Sequence, residues 1–247
     1  MKPAAPPTGL DAAAHAMPLI DDELQLLADL VPLAGQKIIE LGCGAAQLAR
    51  ALLARHPDAS VVGLEVDARQ HAKNLALPQP GLHFVAAGAQ AIPFEAGCFD
   101  LALMLKSLHH VPMPLMAQAL AEAARVLRPG GLLYVSEPVY AGPYNELMRL
   151  FNDEGVVRAA AQSALDEALR GQAWQQVAER RFEMPVRYSD FAEFEQRMMR
   201  PTYADHHIDE AKLAVVRAAF QAHLGPAGAA FQRPMHLRLL RRSPAAT

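Results

Sequence analysis

Ile38-Ile39-Glu40-Leu41-Gly42-Cys43-Gly44-Ala45-Ala46-Gln47, read as IIELGCGAAQ, runs two branched apolar residues into an acid and then into a glycine turn. Branched apolar residues suit a buried strand. Glycines at a strand-to-helix junction free the backbone for unusual dihedrals and let a ligand lie against bare main chain. The following AAQLARALLARH places Leu48, Ala51, Leu52 and Leu53 as a packed helix requires. The turn is therefore the crossing point of a β/α unit.

Outward from it the same cycle repeats. Upstream, PLIDDELQLLADLVPL spaces Leu24, Leu26, Leu27, Leu30 and Val31 as a lead-in helix, with Asp21 and Asp22 suited to its N-terminus. Downstream, ASVVGLEVD, LHFVAAG, FDLALMLKSL and LLYVSEP read as further strands, with ARQHAKNLAL and MPLMAQALAEAARVL as helices and RPGG as a turn. The strands are apolar on both faces, which predicts a parallel sheet covered by helices on both sides. From Tyr140 the pattern turns helical through about Glu179, and RFEMPVRYS and RPMHLRLLRR return as strands around helices in DFAEFEQRMM and IDEAKLAVVRAAFQAHLG. The expected fold is α/β, a Rossmann-like doubly wound sheet of seven strands, mostly parallel with one antiparallel, and a helical insertion before the last two strands. Residues 1–17, rich in Pro and Ala, read as a disordered N-terminus. Residues 18–247 read as one domain, with 139–179 and 189–230 as helical elements covering a substrate.

Composition narrows the partners. In 247 residues, 52% are apolar and the net charge is −3, enough for a substantial core and no overall field for nucleic acid or an acidic membrane. Two cysteines, Cys43 and Cys98, provide no disulfide framework, and no apolar run reaches the ~18 residues of a spanning helix. The reading is a cytoplasmic protein, monomer or homodimer, whose partner is a small molecule rather than nucleic acid or membrane. The basic end, with Arg238, Arg241 and Arg242 around Leu237, Leu239 and Leu240, reads as a strand with solvated charges.

The acids select the ligand of the glycine turn. A dinucleotide fingerprint G-x-G-x-x-G would need glycine where the chain has Gln47, and Glu40 would oppose a pyrophosphate. A nicotinamide-dependent oxidoreductase is on these grounds the weaker alternative. S-adenosylmethionine, with a sulfonium and an ammonium, reverses the sign of that interaction. Glu65 lies twenty-one residues after Gly44, a spacing suited to a carboxylate accepting from ribose hydroxyls, with Asp67 as a second candidate.

IIELGCGAA, VVGLEVD, FVAAGAQAIPFEAGCFDLALMLKSLHHV and EAARVLRPGGLLYVSEP, in this order, resemble the motifs of class I S-adenosylmethionine-dependent methyltransferases, of the small-molecule, type 11-like subgroup. The resemblance covers about residues 20–138. It implies S-adenosyl-L-methionine as cofactor, with Glu40 near its methionine moiety, Gly42 and Gly44 against it, Glu65 on the ribose, Val66 beside the adenine and the stretch Leu105 to Leu108 completing the methionine side. After strand three the family writes Gly-Asp-Ala-Glu, where this chain has Ala87, Gly88, Ala89 and Gln90. The aspartate that accepts from the adenine amino group is absent, leaving backbone around Gly88 and Ala89, or Gln90. The resemblance also leaves open a protein that binds the cofactor without methyl transfer or uses it in another reaction.

Methyl transfer needs alignment of the nucleophile and exclusion of water more than a fixed catalytic group. Where a base helps, histidine suits neutral pH. His109 and His110 follow strand four at the carboxyl edge of the sheet and are candidates for a base or for a wall of the cofactor pocket; Glu137, Tyr140 and Tyr144 follow strand five. In the appended region, Tyr203, His206, His207 and Arg200 are candidates to touch substrate. YADHHIDE also gathers Asp205, Asp209 and Glu210, yet adjacent histidines rarely converge on one ion and the acids suit a helix start, so no metal is expected.

Overall fold

The β/α alternation is present in the computed structural model, which describes residues 17–201, 204 and 206–244. Five strands, β1 (Lys37–Leu41), β2 (Ser60–Leu64), β3 (Leu82–Val85), β4 (Phe99–Leu105) and β5 (Leu127–Pro138), pair in parallel. β6 (Trp174–Tyr188), a two-residue β7 (Leu224–Gly225) and β8 (Gly228–Arg242) complete an eight-stranded sheet in the order β3-β2-β1-β4-β5-β8-β6, with β7 beside β8. β8 runs against β5, β6 and β7, so it is the one reversed strand. The expected seven strands are thus joined by the short β7.

Successive residues of a strand face opposite sides. Ile38, Val61, Leu101 and Leu103 enter a layer against α1 (Glu23–Leu30) and α2 (Gln47–Arg55). Ile39, Ala102 and Met104 enter the opposite layer, against α4 (Met116–Val126) and α6 (Gly155–Arg170). This double burial is why the strands read as unbroken apolar runs. α3 (Ala68–Leu75) packs beside β3. A third apolar cluster joins α5 (Gly142–Met148), α7 (Phe191–Phe194) with the π turn Glu195–Met199, and α8 (Glu210–Gln221) to the ends of β6 and β8, around Tyr144, Tyr188, Phe194, Phe220 and Phe231. Since β5 and β6 end here and the reversed β8 begins here, this cap stands at the carboxyl edge of the sheet, the edge that carries the glycine turn.

Three expectations change in detail. Trp174–Glu179, expected to be helical, is the first half of β6, paired with Arg238–Arg242. As an edge strand its side chains are mostly exposed, which erased the alternation that marks a half-buried strand. Within 139–179, α6 is a layer of the core rather than a cover, since Ala161 and Leu165 are buried against the α4 side. β8 starts at Gly228, five residues before Arg233, because Tyr188 pairs with Ala229 to extend the hairpin. No helix among the described residues is long and apolar enough to cross a membrane.

Candidate cofactor and active site

The glycine turn is built from three left-handed residues, Gly42 (φ +77°), Gly44 (φ +52°) and Ala46 (φ +54°), the last serving as N-cap of α2. Its amides face inward. Gly42 N and Cys43 N donate to Leu64 O at 3.1 and 2.8 Å, Ala46 N donates to Cys43 O at 2.8 Å, and Gly44 N donates to Glu65 Oε2 at 2.8 Å. The other Glu65 oxygen accepts from Asp67 N at 2.8 Å, and Asn74 Nδ2 donates to Gly44 O at 2.7 Å. A pyrophosphate at a glycine turn is held by free backbone N–H groups. Here four of those groups are already engaged, so the geometry reinforces Gln47 and Glu40 against a dinucleotide.

Against this turn packs the one that follows β4. A Cβ on Gly42 would stand 2.9 Å from Ser107 Cβ, and Ser107 Oγ donates to Leu41 O at 2.7 Å. Glu137, at the end of β5, organises the β4 turn: its Oε1 accepts from Ser107 N and Leu108 N at 3.1 and 2.8 Å, and its Oε2 takes His109 Nδ1 in a short contact. His109 Nε2 faces Glu154 Oε2 at 3.8 Å. Glu154 itself is held by Arg158 at 2.6 Å and by Asn152 at 2.9 Å. His109, His110 and Glu154 bring three possible ligand atoms within 4.8 Å of one another. Arg158 already meets the charge of Glu154, so the pull on a metal cation is weak.

Glu40 is buried, and burial pushes its pKa up to about 8 against the opposing influence of Lys106. Its Oε2 has no hydrogen-bond partner among the described residues. A buried acid with an orphaned oxygen is costly unless a cation or donor reaches it. Burial likewise raises the pKa of the Cys43 thiol, which keeps it protonated and unreactive. His110 stacks at 4.1 Å on His109. Its edge is open to solvent, which moderates the effect, but desolvation by the surrounding protein and then the charge of His109 lower its pKa, so it is neutral at pH 7.

Residues 39–135 match the family model described as a methyltransferase domain. Residues 39–135 are thus a methyltransferase domain. Among curated relatives, this domain is similar to a phthiotriol/phenolphthiotriol dimycocerosates methyltransferase of Mycobacterium ulcerans, 37% identical over 47% of this chain and 42% of that one. It is also similar to methyltransferase GfsG of Streptomyces halstedii, 32% identical over 57% of this chain and 51% of that one. The chain thus spans about half the length of these relatives. Among solved structures, the YcgJ protein of Bacillus subtilis shares the fold with a TM-score of 0.63 at 16% identity, over 90% of this chain and 98% of that one. The same fold, at TM-score 0.56 and 18% identity over 94% and 87% of the two chains, is found in the [4+2]-cyclase SpnF.

The family implies S-adenosylmethionine, and the methyltransferase domain fits it. The orphaned Glu40 oxygen invites a cation, Gly42 leaves no room for a side chain beside Ser107, and Val66 is 72% exposed beside the turn. At the missing aspartate, the Gln90 amide folds over Gly88, where a Cβ would stand 2.5 Å from Gln90 Oε1. Ala89 is buried beside it, and Leu105 ends β4 opposite Ser136.

The other candidates separate. Tyr140 donates its hydroxyl to Asp153 at 2.7 Å on the surface, and that bond heads the causes that raise its pKa. Tyr144 lies inside the cap, its hydroxyl 2.7 Å from that of Tyr188 and its ring 4.8 Å beneath Arg233. His206 meets the Phe151 ring at 5.6 Å, and the carbonyls of His206 and His207 both accept from Lys212. Asp209 caps α8 by accepting from Lys212 N at 2.7 Å, and Arg200 pairs with Glu195. Tyr203 and Asp205 lie outside the described residues. Unforeseen were Asn74, Glu154 and Glu23, while Lys106 and Ser107 fall within the stretch Leu105 to Leu108 expected on the methionine side. Of these Glu23 left a trace, an acid four residues before Leu27 and so in phase with the apolar stripe of α1.

Proposed function

We propose that the chain transfers the methyl group of S-adenosylmethionine to a small-molecule acceptor. The observation that carries this reading is Glu40, a buried acid with an unpartnered oxygen at the end of β1, beside a glycine turn in which the amides of Gly42, Cys43, Gly44 and Ala46 are taken. When bound, the cofactor supplies a methyl carbon activated by its sulfonium. Glu40 favours the positive charge, and Gly42 and Ser107 shape the wall where bare backbone is exposed. Glu65 keeps lone pairs for ribose hydroxyls while fixing the turn through Gly44 and Asp67. Gln90 offers its amide near Gly88 in place of the absent aspartate, and Val66 flanks the adenine.

The chain's remaining work is alignment and exclusion of water. The cap of α5, α7 and α8 covers the carboxyl edge, where His206 and His207 would meet the acceptor, while Tyr144, buried against Tyr188, holds the cap together. His110, neutral at pH 7, can accept a hydrogen bond from a hydroxyl or ammonium acceptor and so orient it, its lowered pKa making it a weak base. His109 is a positioning residue, buried between Glu137 and Glu154 and anchoring the β4 turn. Titration calorimetry with S-adenosylmethionine and S-adenosylhomocysteine tests the reading, and absence of binding by both would sink it.

A second reading, cofactor binding without methyl transfer, gains from the occupancy of the candidate bases. His109 is engaged by Glu137, and Tyr140 is tied to Asp153. Cofactor binding without any methylated product from an acceptor pool, followed by mass spectrometry, would select it.

A further inference from the structure

Glu23 opens α1 with its side chain 6% exposed. Its Oε2 accepts from Lys106 Nζ at 2.8 Å, and its Oε1 has no hydrogen-bond partner among the described residues. Glu40 is close enough to feel both charges, its own Oε2 equally unpartnered. Two buried carboxyl groups therefore lie within the influence of one ammonium, which bonds Glu23 alone, and each keeps a dry oxygen. Dry carboxylate oxygens are unfavourable and call for another donor. Lys106 is held with φ +56°, a left-handed conformation that a lysine keeps only where its surroundings impose it, and it immediately precedes the serine that touches Gly42. Its side chain is 31% exposed, so a ligand can reach it.

We propose that the Glu23–Lys106 pair is a clamp for the α-amino acid end of the cofactor, opening so that Glu23 takes the ligand's ammonium and Lys106 its carboxylate. The exchange conserves charge, one internal ion pair giving way to two pairs with the ligand's own zwitterion. It also provides the donor that Glu23 Oε1 lacks, which a latch serving only to fasten α1 would leave unexplained. The inference rests on the S-adenosylmethionine reading above and adds to it Glu23, from the helix that precedes the glycine turn, and a defined partner for Lys106.

The test is calorimetry on the full chain with three ligands: S-adenosylmethionine and S-adenosylhomocysteine, which carry the amino acid, and 5′-methylthioadenosine, which lacks it. Glu23→Gln and Lys106→Met are each expected to weaken the first two by about tenfold while changing the third by no more than about twofold. Lys106→Arg, which keeps the charge, is expected to retain most of the affinity. Equal losses for all three ligands, or no loss for any, would overturn the clamp while leaving the cofactor reading intact. Failure of the unsubstituted chain to bind any of the three would overturn both. Thermal unfolding verifies that each variant is folded, and should Glu23→Gln unfold, the Lys106 pair of variants decides alone.

Discussion

Glu40 turns a buried charge into a pH signal. With its pKa raised to about 8 by burial, the acid is mostly protonated at neutral pH, and an arriving cation draws it into the ionised form. Binding of S-adenosylmethionine should therefore release a proton at pH 7 and tighten from about pH 6 to about pH 8, by at most about tenfold per unit. Calorimetry in buffers of different ionisation enthalpy reads the proton directly, and Glu40→Gln should abolish both the release and the slope. At this scale much of the candidate site was legible, because Glu40, Gly42, Gly44 and Glu65 stand where strand ends meet turns. The third glycine of a dinucleotide fingerprint would fall at Gln47, the first residue of α2, whereas the third left-handed position of this turn is Ala46, which the sequence does not mark because it is not a glycine. Glu23 and Lys106 were not legible as a pair, since eighty-three residues separate them and only the packing of α1 on the end of β4 joins them.

Elements explain what periodicity missed. A strand with one buried face alternates, but β6 lies at the sheet edge and from Gln175 to Glu179 exposes nearly every side chain, so its first half resembled a polar helix. Its pairing with β8 is fixed instead at the hairpin end by Gly228. There φ is +94°, and an added Cβ would collide with the Tyr188 carbonyl and meet Ser189 backbone at 3.1 Å. Neither backbone group can swing aside as a side chain would. Gly228→Ala should cost more than about 3 kcal/mol in denaturant unfolding, whereas Gly44→Ala, with open space around its Cβ, should lose only the smaller cost of a left-handed alanine, roughly 1–2 kcal/mol. Equal losses at the two glycines would mean that dihedral strain alone sets the penalty. The α6 helix shows the converse difficulty: its amphipathic pattern was plain, but pattern does not say whether a helix covers a ligand or a sheet.

For the molecule as a whole, Glu40 also sets how stability follows pH. Its folded pKa, about 8, lies above the ordinary 4.5, so between those values the folded chain holds more protons than the unfolded one and this contribution to stability falls as pH rises. Wild type measured against Glu40→Gln should lose melting temperature steadily from about pH 5 to about pH 8 without ligand. Saturating S-adenosylmethionine should remove that difference, and a wild type that gains on Glu40→Gln with rising pH would refute the assignment. The three apolar clusters, two flanking the sheet and one in the cap, were foreshadowed by the sequence as a domain with an appended helical region, while their division of labour required the topology. One modest contact reaches beyond the single molecule. Ile20 N donates to Glu183 O at 2.8 Å and Glu183 N donates to Pro18 O at 2.9 Å, laying the segment before α1 along the outer side of β6. An outermost strand with unpaired amides and carbonyls is a template for another chain. This short brace occupies part of that template, so a variant beginning at Asp21 should self-associate with rising concentration in light scattering even where its calorimetric unfolding is unchanged. The stretch that holds the first helix in place would then act as a guard on colloidal behaviour.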